Sequence, residues 1–207
     1  IRSTQATSEL ERFTWPAAPP PLAGDPGLEL MAFTAVGWGD AGLERIDAEP
    51  APEVLAMPAY HRARGMLLEG RELTRLWNGL AADPARMDAA RRAYERALEL
   101  DPTHVDGALR LASVLAYLGR TDEALARAED VVARYPHAAE PLRVRALLHT
   151  ARGDSRAALR DYEAAHALEP DADGAATIAE LYAGSGDHQA AARWRAEATR
   201  LDPAAHR

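Results

Sequence analysis

The feature that most constrains this chain is a comb of prolines and glycines in its C-terminal two thirds. Pro102, Pro136, Pro170 and Pro203 stand 34, 34 and 33 residues apart, and Gly119, Gly153 and Gly186 keep the same step, 34 and then 33. Proline stops a helix because it lacks the amide donor and clashes with the turn before it. Glycine ends one by entering the left-handed region without a Cβ penalty. Two independent helix-ending marks on one period define a repeated unit of two helices joined by a tight turn. The stretch AYERALELDP, Ala93 to Pro102, is one tooth of that comb.

Aligned on the prolines, the units begin with VDGALRLASVLAYLGRTDEALARAEDVVARYP; the next ends GDSRAALRDYEAAHALEP and the last is ADGAATIAELYAGSGDHQAAARWRAEATRLDP. The glycine closes the first helix, and Thr121, Asp154 or Ser155, and Asp187 then stand where side chains cap the second. Small residues recur where helices must approach closely. They are Ala90, Ala124, Ala158 and Ala191 in the second helices, followed seven residues later by Ala97, Val131, Ala165 and Ala198. Ala112, Ala146 and Ala179 do the same in the first helices, with Leu111, Leu115, Ile178, Tyr94, Tyr162 and Tyr182 filling the spaces between. A single pair of helices cannot bury its own apolar face, whereas a stack of them buries a continuous core.

On these residues the chain resembles the tetratricopeptide repeat family over residues 103–203. MDAARRAYERALELDP supplies the second helix of a further, divergent unit, with its first helix within residues 59–82. The expected fold is an all-α, right-handed helix-turn-helix solenoid of 3–4 units. Residues 57–207 form it, with a divergent unit at about 59–102 and units at 103–136, 137–170 and 171–203. The bulky aromatic that the family places early in the first helix is replaced by Ala108, Leu142 and Ala175, and Arg145 stands at a position normally apolar. The middle unit is therefore expected to be the least tightly packed.

Residues 1–56 have another texture. Eight of the 14 prolines lie in the first 58 residues, and WPAAPPPLAGDPG excludes helix in favour of polyproline II and turns. ERFTWP and MAFTAVGWG, with Trp15 and Trp38, are too apolar for a free linker. The segment is expected either to pack along the solenoid, capping its first unit or occupying its groove, or to be the tail of a preceding domain. The start at Ile1 rather than Met points to a processed product or a fragment.

Composition removes several kinds of chemistry. Absence of Cys excludes disulfides, thiolate nucleophiles and Cys-ligated metal. It is compatible with cytoplasm and periplasm alike. All 24 basic Lys+Arg residues are Arg, which reads as the coding bias of a GC-rich, bacterial genome. A net charge of −8 argues against nucleic-acid or anionic-membrane partners. No window approaches the roughly 18 apolar residues of a membrane span. No phosphate loop, Gly-x-Ser-x-Gly elbow or His-Glu-x-x-His pair is present. The seven histidines have no metal-ligand spacing, and His104 and His137, one repeat apart, read as solvated loop residues after the unit-ending proline. Trp77 and Trp194 read as core or edge packing. No catalytic residue, metal or cofactor is assigned.

The resemblance implies binding of another protein or a peptide, or of the chain's own N-terminal segment, in a concave groove lined by the first helices. It carries the groove positions to Asp106, Leu109, Ser113 and Tyr117 in the first clear unit. In the next they are Glu140, Arg143 and Leu147, and in the last Asp173, Ala176 and Glu180. Some relatives grip a terminal carboxylate with a Lys/Asn/Arg clamp. Here Leu109, Ser113, Arg143, Leu147 and Glu180 occupy those places, and the clamp is missing. The expected function is that of a non-catalytic adaptor or scaffold, with an accessory region of a larger enzyme as the alternative.

Overall fold

The computed structural model describes residues 52–202. The N-terminal segment up to residue 51, with Trp15 and Trp38, lies outside them, as do Pro203 and His206. Within the described residues nine helices follow one another with no strand between. They are α1 (Pro52–Leu55), α2 (Pro58–Trp77), α3 (Pro84–Leu100), α4 (Val105–Tyr117), α5 (Thr121–Arg134), α6 (Ala139–Arg152), α7 (Ser155–Leu168), α8 (Ala172–Gly184) and α9 (His188–Leu201). α1 is a single turn tied to α2, where His61 Nε2 donates to the Leu55 carbonyl at 3.0 Å. The other eight form four helix pairs.

Local chemistry sets the ends of each pair. Gly119, Gly153 and Gly186 have φ of +76, +84 and +86°, the left-handed values their spacing predicts, and Gly79 joins them at +73°. Gly79 stands 40 residues before Gly119, off the comb, because the first pair has the longer connection, from Asn78 to Asp83. After the comb's glycines the cap slot follows by one residue, and after Gly79 it is Asp83, four residues on, which accepts from the Ala85 amide at 2.9 Å. Asp154 accepts from the Ala157 amide at 3.0 Å and Asp187 from Ala190 at 2.9 Å. The same slot in α5 holds Arg120, so Thr121 is the first helical residue and not the cap. Arg120 instead forks onto Glu123 at 2.7 and 2.6 Å. Among the first helices, α4 is capped by His104 Nδ1 and α8 by Asp171, while Ala138 leaves α6 without a side-chain cap.

Packing follows the small-residue comb. Ala90, Ala124, Ala158, Ala191, Ala112, Ala146 and Ala179 are all buried, as are Ala97, Val131, Ala165 and Ala198. Each first helix packs on its own second helix, each second helix on the next first helix, and α4 also on α6. Neighbour-only contact of this kind is what makes a solenoid. The largest core cluster runs from Tyr60 on α2 through Tyr94, Leu111, Leu115 and Leu125 to Leu148 on α6. Gly65 is needed there, since a Cβ would stand 2.7 Å from the Tyr94 ring. Tyr162 and Tyr182 are only half-buried. Arg145 of the third pair is ion-paired. It donates to both carboxylate oxygens of buried Asp161 at 2.7 Å, a polar tie in place of an apolar contact.

Candidate functional site

Counting back from the left-handed glycines places the first helices in register. Glu69, Leu109, Arg143 and Ala176 share one row, Leu73, Ser113, Leu147 and Glu180 the next, and Trp77, Tyr117, Ala151 and Gly184 the third. Steps of four residues keep these rows on one helix face. Between α2, α4 and α6 this face forms a cleft of about 390 Å3. α2 contributes Glu69 and Leu73, α4 contributes Ser113, Ala116 and Tyr117, and α6 contributes Leu147, Leu148 and Ala151. The walls are apolar, and one carboxylate sits at the edge of the core.

That carboxylate is Glu69, 4% exposed. Its Oε2 accepts from the Tyr94 hydroxyl at 2.7 Å and from Arg110 at 3.4 Å. Burial raises its pKa above the ordinary glutamate value, and the bonds from Tyr94 and Arg110 offset only part of that rise. Burial, then the neighbouring Glu69 charge, likewise holds the Tyr94 phenol far above its usual range. Glu72, one turn on and fully buried, accepts from the Asp83 amide at 2.6 Å and fixes the long connection of the first pair.

The residues expected to line the groove divide into three groups. Ser113, Tyr117 and Leu147 line the cleft, and Tyr117 and Leu147 are each 55% exposed. Asp106, Glu140, Asp173, Ala176 and Glu180 are exposed on the same face outside it. Leu109 and Arg143 are engaged elsewhere. Leu109 is 5% exposed and packs with Ala108 and Val131. Arg143 binds the Glu169 carbonyl at 2.9 Å and Asp171 at 3.0 Å, stapling α6 to the turn before α8.

Glu69, Leu73 and Trp77 were not among the expected groove residues. Their signal is Gly79, which sets them in register with Leu109, Ser113 and Tyr117 although its spacing breaks the comb. Trp77, expected to pack in the core or at an edge, is instead 91% exposed. It stands on the outermost row, and among the described residues no pair precedes α2 to cover it. Trp194 does pack at an edge, its ring 5.0 Å from the His166 ring and nearly perpendicular to it.

A second recess of about 490 Å3 lies among α7, α8 and α9, its lining including Glu163, His166, Tyr182, Arg193, Trp194 and Glu197. Its acids are already engaged: Tyr182 donates to Glu163 at 2.6 Å, and Arg200 forks onto Glu197 at 2.8 and 2.6 Å. The histidines do other work. His104 caps α4, and His137 and His188 are exposed. Among the described residues no group of three or more His, Asp or Glu is placed to hold a metal ion. None of their helices is long and apolar enough to cross a membrane.

A tetratricopeptide repeat family model matches residues 81–148. Several solved structures share the fold. MamA, residues 41 to the end, from Desulfovibrio magneticus RS-1 superposes with a TM-score of 0.68 at 18% identity, covering 87% of this chain and 97% of that one. YrrB, described as a repeat protein of this kind with an unusual peptide-binding site, gives 0.61 at 17% identity, covering 97% and 92%. The thermophilic repeat protein TTC0263 of Thermus thermophilus gives 0.59 at 22% identity, covering 86% and 91%. At these identities the likeness is one of fold. No curated protein matches the chain in sequence.

Proposed function

Since the chain folds as a tetratricopeptide repeat solenoid, we propose that it is a non-catalytic adaptor that holds a protein segment in the concave groove of its first helices. The observation that carries this is the apolar cleft between α2, α4 and α6, with Tyr117 and Leu147 left open in it and Trp77 exposed in the register of Tyr117 on α2. Large apolar side chains gathered on one concave face, and not scattered singly, mark a surface meant to be covered. The peptide-binding site of YrrB supports the same class of role. Appended to a larger enzyme, the same groove would position a substrate or a partner chain.

Site-specific photo-crosslinking tests the reading. A photoreactive phenylalanine analogue replaces Tyr117 in the cleft or Ala126, exposed on the second helix of the same pair. Illumination in the native host is expected to give a discrete adduct from position 117 and none from 126. An adduct within the chain to residues 1–56 would make the N-terminal segment the occupant. Adducts at 126 alone, or equal at both, would move binding off the groove.

A further inference from the structure

The charge laid out around the cleft says which segment it takes. We propose that the groove binds a peptide segment in which a cluster of aliphatic or aromatic residues adjoins Lys or Arg, the apolar part on the first three pairs and the basic part on the third and fourth. This rests on the groove reading and adds the chemistry of the partner.

The rows change character along the solenoid. At the first pair they present Leu73 and Trp77, and at the second Tyr117; Leu147 continues the apolar surface at the third. At the fourth the same rows present Ala176, Glu180 and Gly184, and the apolar surface has ended. One turn earlier on each helix lies a row of acids, Asp106, Glu140 and Asp173, in the register of Met66 on α2. Asp106 on the second pair and Glu140 on the third are held by Arg110 and Arg143. The exposed carboxylates of these rows with no ion pair among the described residues, Asp173 and Glu180, both lie on the fourth pair, where the large apolar side chains have stopped.

The cations of this face are already engaged. Arg110 is held by Asp106 at 3.1 Å and reaches Glu69 at 3.4 Å. Arg143 serves Glu169, Asp171 and, at 3.7 Å, Glu140. Asp173 and Glu180 are exposed and have no ion pair among the described residues. A basic side chain arriving there meets unpaired carboxylates, whereas an acidic one meets like charge and would have to displace a carboxylate already bound to Arg110 or Arg143. Complementarity of this sort selects partners more than it adds raw affinity. The exposed aromatic rings on the apolar rows supply the kind of anchor that dominates binding energy.

The test is to pan a random dodecapeptide display library on the full chain and read the composition of what is enriched. Expected are sequences with a Leu, Ile, Phe or Trp cluster and a net positive charge concentrated on one side of it. The enriched peptide is then measured against variants that keep their helical circular dichroism. Trp77→Ala should weaken it about tenfold or more, as loss of an aromatic anchor does. Asp173→Lys with Glu180→Lys should weaken it about tenfold and lessen its sensitivity to salt. Enrichment of acidic or uncharged peptides that still depend on Trp77 and Leu147 would overturn the charge inference and leave the groove standing. Enrichment of segments like LELMAFTAVGWG would give the groove to residues 28–39 of the chain itself and overturn the proposal. No enrichment, or binding unaffected by Leu147→Ser, would overturn the groove reading together with it.

Discussion

At the scale of single residues, Glu69 sits in an environment that costs the fold stability. A carboxylate 4% exposed beside an apolar cleft gives up its hydration, and one tyrosine bond and a long arginine contact return only part of it. Because its folded pKa lies above the unfolded value, the folded state binds this proton more tightly. Its stabilising effect is present below the ordinary value of 4.5 and is lost as pH rises through the raised pKa. Glu69→Gln keeps an acceptor for Tyr94 without the charge. It should raise the melting temperature at pH 7, and its advantage should shrink on acidification through the raised pKa towards 4.5. Parallel thermal melts across that range check this, and an advantage that does not change with pH would show that burial of the charge is not what the site suffers from. None of it was legible in the sequence. Periodicity put Glu69 on a helix face, but whether a neighbour covers that face depends on Tyr94, 25 residues away. Leu109 teaches the same limit: one row, and the residue is inside rather than open.

At the scale of the helix, punctuation was legible wherever residue type and period agreed. Gly153 and Gly186 end their helices, and Asp154 and Asp187 cap the next, because only a few residue types perform those tasks cheaply. Thr121 lies one position beyond the cap slot, which Arg120 fills, and a cap-forming type beside such a slot is a decoy. Gly79 escapes the period because a longer connection shifts it. Ala138 is the corresponding vacancy at a first helix. Its φ and ψ, −103 and 128°, already suit a cap, and the equivalent Asp171 accepts from Gly174 at 2.6 Å. The position matching Gly174 is Pro141, which has no N–H, so Ala138→Asp can bond only the Glu140 amide, as Asp83 bonds that of Ala85. It should stabilise the chain by about 0.5 kcal/mol, the low end of the capping range. Denaturant midpoints at constant slope measure it. No gain would mean that Glu140, two residues on, repels the new carboxylate as strongly as the α6 amides attract it.

At the scale of the whole molecule, a chain that touches only its neighbours has no single centre, and its stability is a sum of pair and interface terms. The fold class was legible for that reason, since each unit repeats the same solution and the alanine comb repeats with it. The site was legible only in part, because function lies in the departures from the repeat, such as Trp77 at one end and Glu180 at the other. The interfaces are unequal. The main core cluster binds α2 to α6 continuously through Tyr94, Leu111 and Leu148. The last pair has no residue in that cluster and meets α7 partly through polar and ring contacts, with His166 edge-on to Trp194 and Tyr182 bonded to Glu163. Under native conditions the last pair should open first. Hydrogen exchange should show α8 and α9 amides exchanging through a lower-energy opening than those of α4 and α5. Trp194→Ala should widen the difference by removing a ring from the interface. Uniform protection from α2 to α9 would instead mean that the solenoid opens as one cooperative body and that its interfaces are equally strong. With the gradient present, the carboxylates of α8 proposed to meet a basic partner lie on the pair that opens most easily. Binding there would protect α8 and α9 more than any other helices, because a ligand that binds the closed state stabilises most what opens most readily.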